Sequence, residues 1–199
     1  MLDSLLEPAF ADPVAATQQT IRVALNALSE PGVIQTLDDV PALGSLAPAM
    51  YALCLTLLDN DTPVWLSPAF DTPAMRANLA FHCACPVVAA REDAKFALLM
   101  AAELDELQAF DAGTDRDPDQ SCTLLIQVPG FDQGPLVTCK GPGIEHERSL
   151  RLPLDAGFWQ QRKRCNAFPR GLDMFFGAGR QLMGLPRSTR VSLTVEGVL

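Results

Sequence analysis

Three apolar runs near the end of the chain, at residues 172–176, 181–185 and 191–195, follow one another across only a few intervening residues, among them Gly177, Gly179 and Pro186. Parallel neighbours in a sheet need a crossover of roughly a dozen residues, usually a helix. Runs this close can pair with one another only antiparallel. Upstream, helical and strand patterns alternate along the chain with no internal repeat and no convincing linker. Together these features predict an α/β fold: one three-layer domain over residues 1–199, with a mixed sheet flanked by helices. A chain of 199 residues buries about 70% of its unfolded surface, enough for a core without disulfides or metals.

Local signals place the elements. Asp12-Pro13 is an N-cap followed by proline at the first helical position, and Pro31-Gly32 ends that helix. Val14, Thr17, Ile21, Ala24, Leu25 and Leu28 recur at helical spacing and form its expected apolar face. A short strand is expected at 33–37. Ser45 is expected to cap a nearly all-apolar helix over 46–58. A strand follows at 62–66, and Thr72-Pro73 starts a third helix over 74–82. Residues 87–90 form a short strand, 94–100 suit either strand or helix, and 103–110 read as helical. The polar segment 111–120, with Gly113 and Pro118, is expected to be a mobile loop. Strands at 123–128, 136–140 and 147–152 then precede a helix over 156–166 that carries Phe158 and Trp159.

Charge excludes several partners. Fifteen basic residues against 24 acidic ones leave a net charge of −9. Nucleic acid is not an expected partner, since binding it calls for a basic surface. No apolar run approaches the roughly 20 residues of a membrane-spanning helix. Asp3 and Glu7 stand where a secretion signal carries Lys or Arg. A cytoplasmic location is expected. Cys54, Cys83, Cys85, Cys122, Cys139 and Cys165 then read as reduced, mostly buried thiols.

Cofactor and nucleophile motifs are weak. His82-Cys83-x-Cys85 has no second ligand pair, and His146 is the only other histidine, so no metal site is expected. Gly141-Pro142-Gly143 lacks the remainder of a phosphate-binding loop and reads as a turn between strands. No cysteine has a local catalytic signature. The cations are unevenly placed: Arg151, Arg162, Lys163, Arg164, Arg170, Arg180, Arg187 and Arg190 fall in the last quarter. Such a concentration suits an anionic ligand or acidic partner, or simply a solvated face.

Several strings run in order along the chain: Ser29-x-Pro31-Gly32, Leu57-Leu58-Asp59 before Thr62-Pro63-Val64-Trp65, Gly113-Thr114, and Gly141-Pro142-Gly143-Ile144. Phe168-Pro169-Arg170-Gly171-x-Asp173 and Leu185-Pro186-Arg187-Ser188-Thr189-Arg190 complete the series. In this order and spacing they resemble the PhnH family, the H subunit of the bacterial carbon–phosphorus lyase system. Glu30, where a basic residue is expected, and Ser188, where threonine is usual, depart from the family pattern.

The resemblance implies a role in organic phosphonate catabolism, in a core complex with G, I and J subunits. That complex makes α-D-ribose 1-alkylphosphonate 5-triphosphate from ATP and an alkylphosphonate, releasing adenine. It also implies a homodimer and a fold similar to the large domain of fold-type I PLP-dependent transferases, without the PLP site. The sequence agrees: Lys95, Lys140 and Lys163 are the only lysines, and none has a Schiff-base setting. No cofactor, metal or catalytic residue is assigned, and the isolated chain is expected to be an accessory rather than catalytic subunit. The alternatives are a nucleotide- or phosphonate-binding protein and a stand-alone transferase.

Candidate substrate contacts are Arg170, Asp173, Arg187, Thr189 and Arg190. The competing reading has Arg170 and Asp173 bracing a turn while Arg187 and Thr189 fix the last strand. A complex subunit should also expose an apolar patch, with Phe175, Phe176 and Trp159 as its candidates.

Overall fold

A computed structural model describes residues 5–193, and within them the helix starts follow capping chemistry. The elements are α1 (Pro13–Ser29), β1 (Ile34–Thr36), α2 (Pro48–Leu57), β2 (Val64–Leu66), α3 (Pro73–His82), β3 (Val87–Val88), β4 (Phe96–Met100), β5 (Thr123–Gln127), β6 (Leu136–Lys140), β7 (Arg148–Arg151), α4 (Ala156–Cys165), β8 (Asp173–Ala178), β9 (Gln181–Leu185) and β10 (Arg190–Leu193). Asp12, Thr72 and Asp155 accept backbone N–H bonds at the starts of α1, α3 and α4. Asp3 and the end of the strand expected at 191–195 lie outside the described residues.

Helix α2 starts differently. Ser45 does not cap it. Instead Gln127, at the end of β5, accepts from the Ala47 N–H at 2.6 Å and donates to the Ser45 carbonyl at 3.0 Å. One amide side chain thus satisfies the helix entry and locks it to the central strand.

Seven strands form a mixed sheet in the order β1-β9-β8-β5-β4-β2-β3. Strands β8, β5, β4, β2 and β3 run parallel, and β9 lies antiparallel to both β8 and β1. Alternating side chains serve opposite faces. Leu98, Leu125, Phe175 and Leu182 join the core beneath α1, α2 and α3. Leu99, Leu124, Ile126, Phe176 and Met183 join the core on the other side.

The expectation of a single sheet needs correcting. β10 leaves the large sheet and pairs with β6, which pairs with β7, in a separate antiparallel sheet. Pro186 has no N–H for the ladder, and the Thr189 N–H closes a turn on the Pro186 carbonyl at 3.0 Å. The chain is thereby redirected. The three layers stand, but one outer layer is this small sheet with α4 rather than helices alone.

One local reading also changes. Residues 103–110 form only isolated 3₁₀ turns, at Ala101–Glu103 and Leu107–Ala109. Their charged side chains are engaged elsewhere: Glu103 accepts from Ser67 and from the Ala69 N–H, and Asp105 pairs with Arg91. The segment 111–120 is anchored as well. Gly171 N–H donates to the Ala112 carbonyl at 2.9 Å, Lys95 to the Gln120 carbonyl at 2.8 Å, and Arg187 to the Pro118 carbonyl.

The buried face of α1 is only in part the one its apolar spacing marks: Ala24 is buried and Leu28 packs on the core. Thr20, Ala24 and Ala27 face inward, while Val14 and Leu25 are 82% and 59% exposed. The cause is the backbone of β9. A Cβ on Gly184 would stand 2.5 Å from the Ala27 carbonyl, so α1 lies almost on the strand and only small side chains fit between them. Gly184→Ala is therefore expected to cost about 1–3 kcal/mol through overpacking. Urea unfolding checks this, and an unchanged midpoint would contradict the close approach.

Candidate functional site

The strands β9 and β10 meet at a turn that packs against α4. Between them opens a cavity of about 590 Å³, lined by Trp159, Arg162, Lys163, Asn166, Phe168, Arg187, Thr189 and Arg190, with Pro142 and Val191. Trp159, Arg162 and Asn166 stand three and four residues apart, which places them on one face of α4.

Arg162 organises this site. It is only 3% exposed, yet it faces no carboxylate in its hydrogen bonds. Its guanidinium donates to the Thr189 carbonyl at 2.9 Å and to the Pro186 carbonyl at 2.8 Å. Both acceptors belong to the β9–β10 turn. Burial pushes its pKa down to about 10, so it stays charged at neutral pH. Its Nε has no partner, nor do the Trp159 indole Nε1 and the Thr189 hydroxyl. Three of the six orphaned buried polar side-chain atoms among the described residues therefore belong to this one wall.

Beside it, Arg187 and Asp173 form a closed pair. The Arg187 side chain donates to Asp173 Oδ2 at 2.5 and 3.1 Å, and its backbone N–H donates to Oδ1 at 2.7 Å. Asn166 donates to the Arg187 carbonyl and accepts from the Leu172 N–H. Gly171 is required here: a Cβ would stand 2.8 Å from both Asn166 Oδ1 and Arg187 Cβ, at a φ of +153°.

The five candidate residues therefore separate. Thr189 and Arg190 line the cavity. Arg187 lines it too, but its guanidinium is held by Asp173 and the Pro118 carbonyl. Asp173 is the brace of the turn. Arg170 pairs not with Asp173 but with Asp115, at 3.0 Å, and does not line the cavity. The bracing reading thus describes Arg187 and Asp173, though with a different partner from the expected Arg170. Sequence reasoning missed Trp159, Arg162, Asn166 and Phe168 as wall residues. The helical spacing of Trp159, Arg162 and Asn166 was the available signal.

The expected patch is corrected too. Phe175, Phe176 and Trp159 are buried. The large exposed apolar residues among those described include Val14 and Leu25 on α1, Ile34 on the edge strand β1, Phe81 on α3, and Phe168 at the cavity.

The other chemical candidates resolve structurally. His82 ends α3 with Nε2 3.0 Å from the Glu7 carbonyl, while Cys83 and Cys85 lie buried beneath. No group of three or more metal-ligating side chains gathers among the described residues. Burial raises the pKa of Cys54 and Cys122, and that of Cys139 to about 11, so these three remain thiols at neutral pH. Gly143 packs onto the end of α1, where a Cβ would meet the Ser29 carbonyl at 1.9 Å. Two of the sequence strings thus touch each other.

Removing Asp173 leaves a half-buried guanidinium and a backbone N–H without an acceptor. Asp173→Ala is expected to lose about 2–3 kcal/mol of stability. Chemical denaturation measures this; a loss under about 0.5 kcal/mol, the scale of an ordinary surface change, would show the pair to be dispensable.

The comparisons with known proteins agree with one another. The model of the bacterial phosphonate metabolism protein family, PhnH, matches residues 8–192. A Rhizobium meliloti (strain 1021) protein named α-D-ribose 1-methylphosphonate 5-triphosphate synthase subunit PhnH is 33% identical over 189 residues, covering 92% of this chain and 94% of that protein. A Stutzerimonas stutzeri protein named as a candidate C–P lyase subunit, HtxG, is 39% identical over 83 residues, or 41% of this chain and 43% of that protein.

Proposed function

We propose that this chain, which belongs to the PhnH family of bacterial phosphonate metabolism proteins, serves as a subunit of a carbon–phosphorus lyase complex. The observation that carries this reading is the match to the Rhizobium meliloti synthase subunit along nearly the full length of both chains. By that reading the complex forms α-D-ribose 1-alkylphosphonate 5-triphosphate from ATP and an alkylphosphonate, with release of adenine. The chain's partners are the G, I and J subunits, and alone it forms a homodimer in the cytoplasm.

Its part in the reaction is accessory. Two of the three arginines in the last two family strings are paired with carboxylates: Arg187 with Asp173, and Arg170 with Asp115. The mixed sheet is read as kin to the large domain of fold-type I PLP-dependent transferases without their cofactor site. Lys95 and Lys140 are held by Gln120 and Glu147, which supports that reading. Among the described residues no helix is long and apolar enough to cross a membrane. The exposed Val14 and Leu25 give α1 an apolar surface suited to another chain.

Co-expression with the G, I and J subunits, purifying through a tag on this chain, tests the assignment. A stoichiometric complex is expected. Charging the α1 surface by Val14→Glu with Leu25→Glu should reduce recovery of the partners or of the homodimer without lowering the melting temperature. Recovery of this chain alone, under conditions where the other subunits are soluble, would overturn the assignment.

A further inference from the structure

The α4 cavity has an unusual balance of groups. Lys163 and Arg190 are exposed at it, and no ion pair joins either to a carboxylate among the described residues. Arg162 stands charged in the wall with its Nε free. Asp173, the one carboxylate among the described residues whose charge acts on Arg162, is already taken by Arg187. Among the described residues no Asp or Glu lines the cavity. In a chain of net charge −9, three cations have been gathered around one recess with no carboxylate lining it among the described residues. A buried charge without a counter-ion is costly, and a bound anion offsets that cost.

Beside the polar Asn166, Ser188 and Thr189, the remaining lining is apolar or aromatic. Trp159, Pro142 and Val191 form part of the wall, and Phe168 stands 83% exposed beside it. The volume of about 590 Å³ lies within the range of roughly 300–1,000 Å³ typical of small-molecule sites, and well above what a lone inorganic ion needs. The indole N–H of Trp159 and the Thr189 hydroxyl add donors at the same wall.

We propose that this cavity binds an organic phosphate or phosphonate. Its anionic group is held by Arg162, Lys163 and Arg190, and its flat or apolar body lies against Trp159 and Phe168. The choice of phosphorus anions among other anions rests on the function proposed above. The orphaned donors are shielded at the wall, so contact requires small side-chain adjustments there. The Trp159 indole resonance reports them directly.

The test is a titration of the ¹⁵N-labelled chain, following the indole signals of Trp159 and of Trp65, which lies on β2. ATP, ribose 5-phosphate and inorganic phosphate are the probes, with adenosine as the uncharged control. The expected result is a saturable shift of Trp159 alone with an organic phosphate, weaker with inorganic phosphate, and absent with adenosine. In Lys163→Gln with Arg190→Gln, which alters only exposed side chains, affinity should fall about tenfold while the melting temperature holds. No shift with any of the three phosphates at millimolar concentration would overturn the proposal. So would a shift that survives unchanged in the double variant, or inorganic phosphate binding as tightly as the organic ligands. A chain that assembles with its partner subunits yet gives none of these shifts overturns the cavity alone. A chain that binds but does not assemble overturns only the subunit assignment.

Discussion

A single buried guanidinium fixes the turn that joins the two sheets of this protein. Arg162 reaches from α4 to the Pro186 and Thr189 carbonyls, the two ends of the turn where the chain leaves the large sheet for the small one. Charged donors make strong bonds to carbonyls, and losing them strands a charge in the interior. The turn therefore has one position relative to α4. That position sets where β10 pairs with β6, and it forms the wall of the cavity. Arg187 and Asp173 lock the same turn from its other side and draw in the loop at Pro118.

Much of the architecture could be read from local chemistry. Asp12-Pro13 and Thr72-Pro73 start helices because an oxygen cap followed by proline satisfies the first turn. The short spacing of the last strands forced an antiparallel hairpin, and β8 and β9 form one. What stayed hidden depends on contacts distant in sequence. The cap on α2 comes from Gln127, 80 residues from Ala47. The buried face of α1 is decided by the missing side chain of Gly184, on a strand at the far end of the chain. Nothing within the helix reveals that Val14 and Leu25 stay outside.

The site divides along the same line. Arg187, Thr189 and Arg190 stood out because they share one string, and the structure places all three at the cavity. Arg162 and Trp159 looked like ordinary members of a helix, and only the packing of α4 against the turn gives them a role. Arg170 and Asp173 suggested a pair by proximity in sequence. The backbone at Gly171 instead sends Asp173 to Arg187 and Arg170 to Asp115. Strings that seemed independent thus meet in space: Gly171, Asp173 and Arg187 around one brace, and Gly143 against Ser29. Both meetings serve the fold, which leaves the unpaired cations of the cavity as the groups free to meet a ligand.

Hydrogen exchange on Arg162→Met tests the role of this side chain most directly, because methionine retains much of the apolar stem and removes the donors. The account predicts faster exchange at the amides of residues 187–191 and through β10, with β4, β5 and β8 keeping their protection. Unchanged protection in the turn, or an equal loss across the whole large sheet, would contradict it.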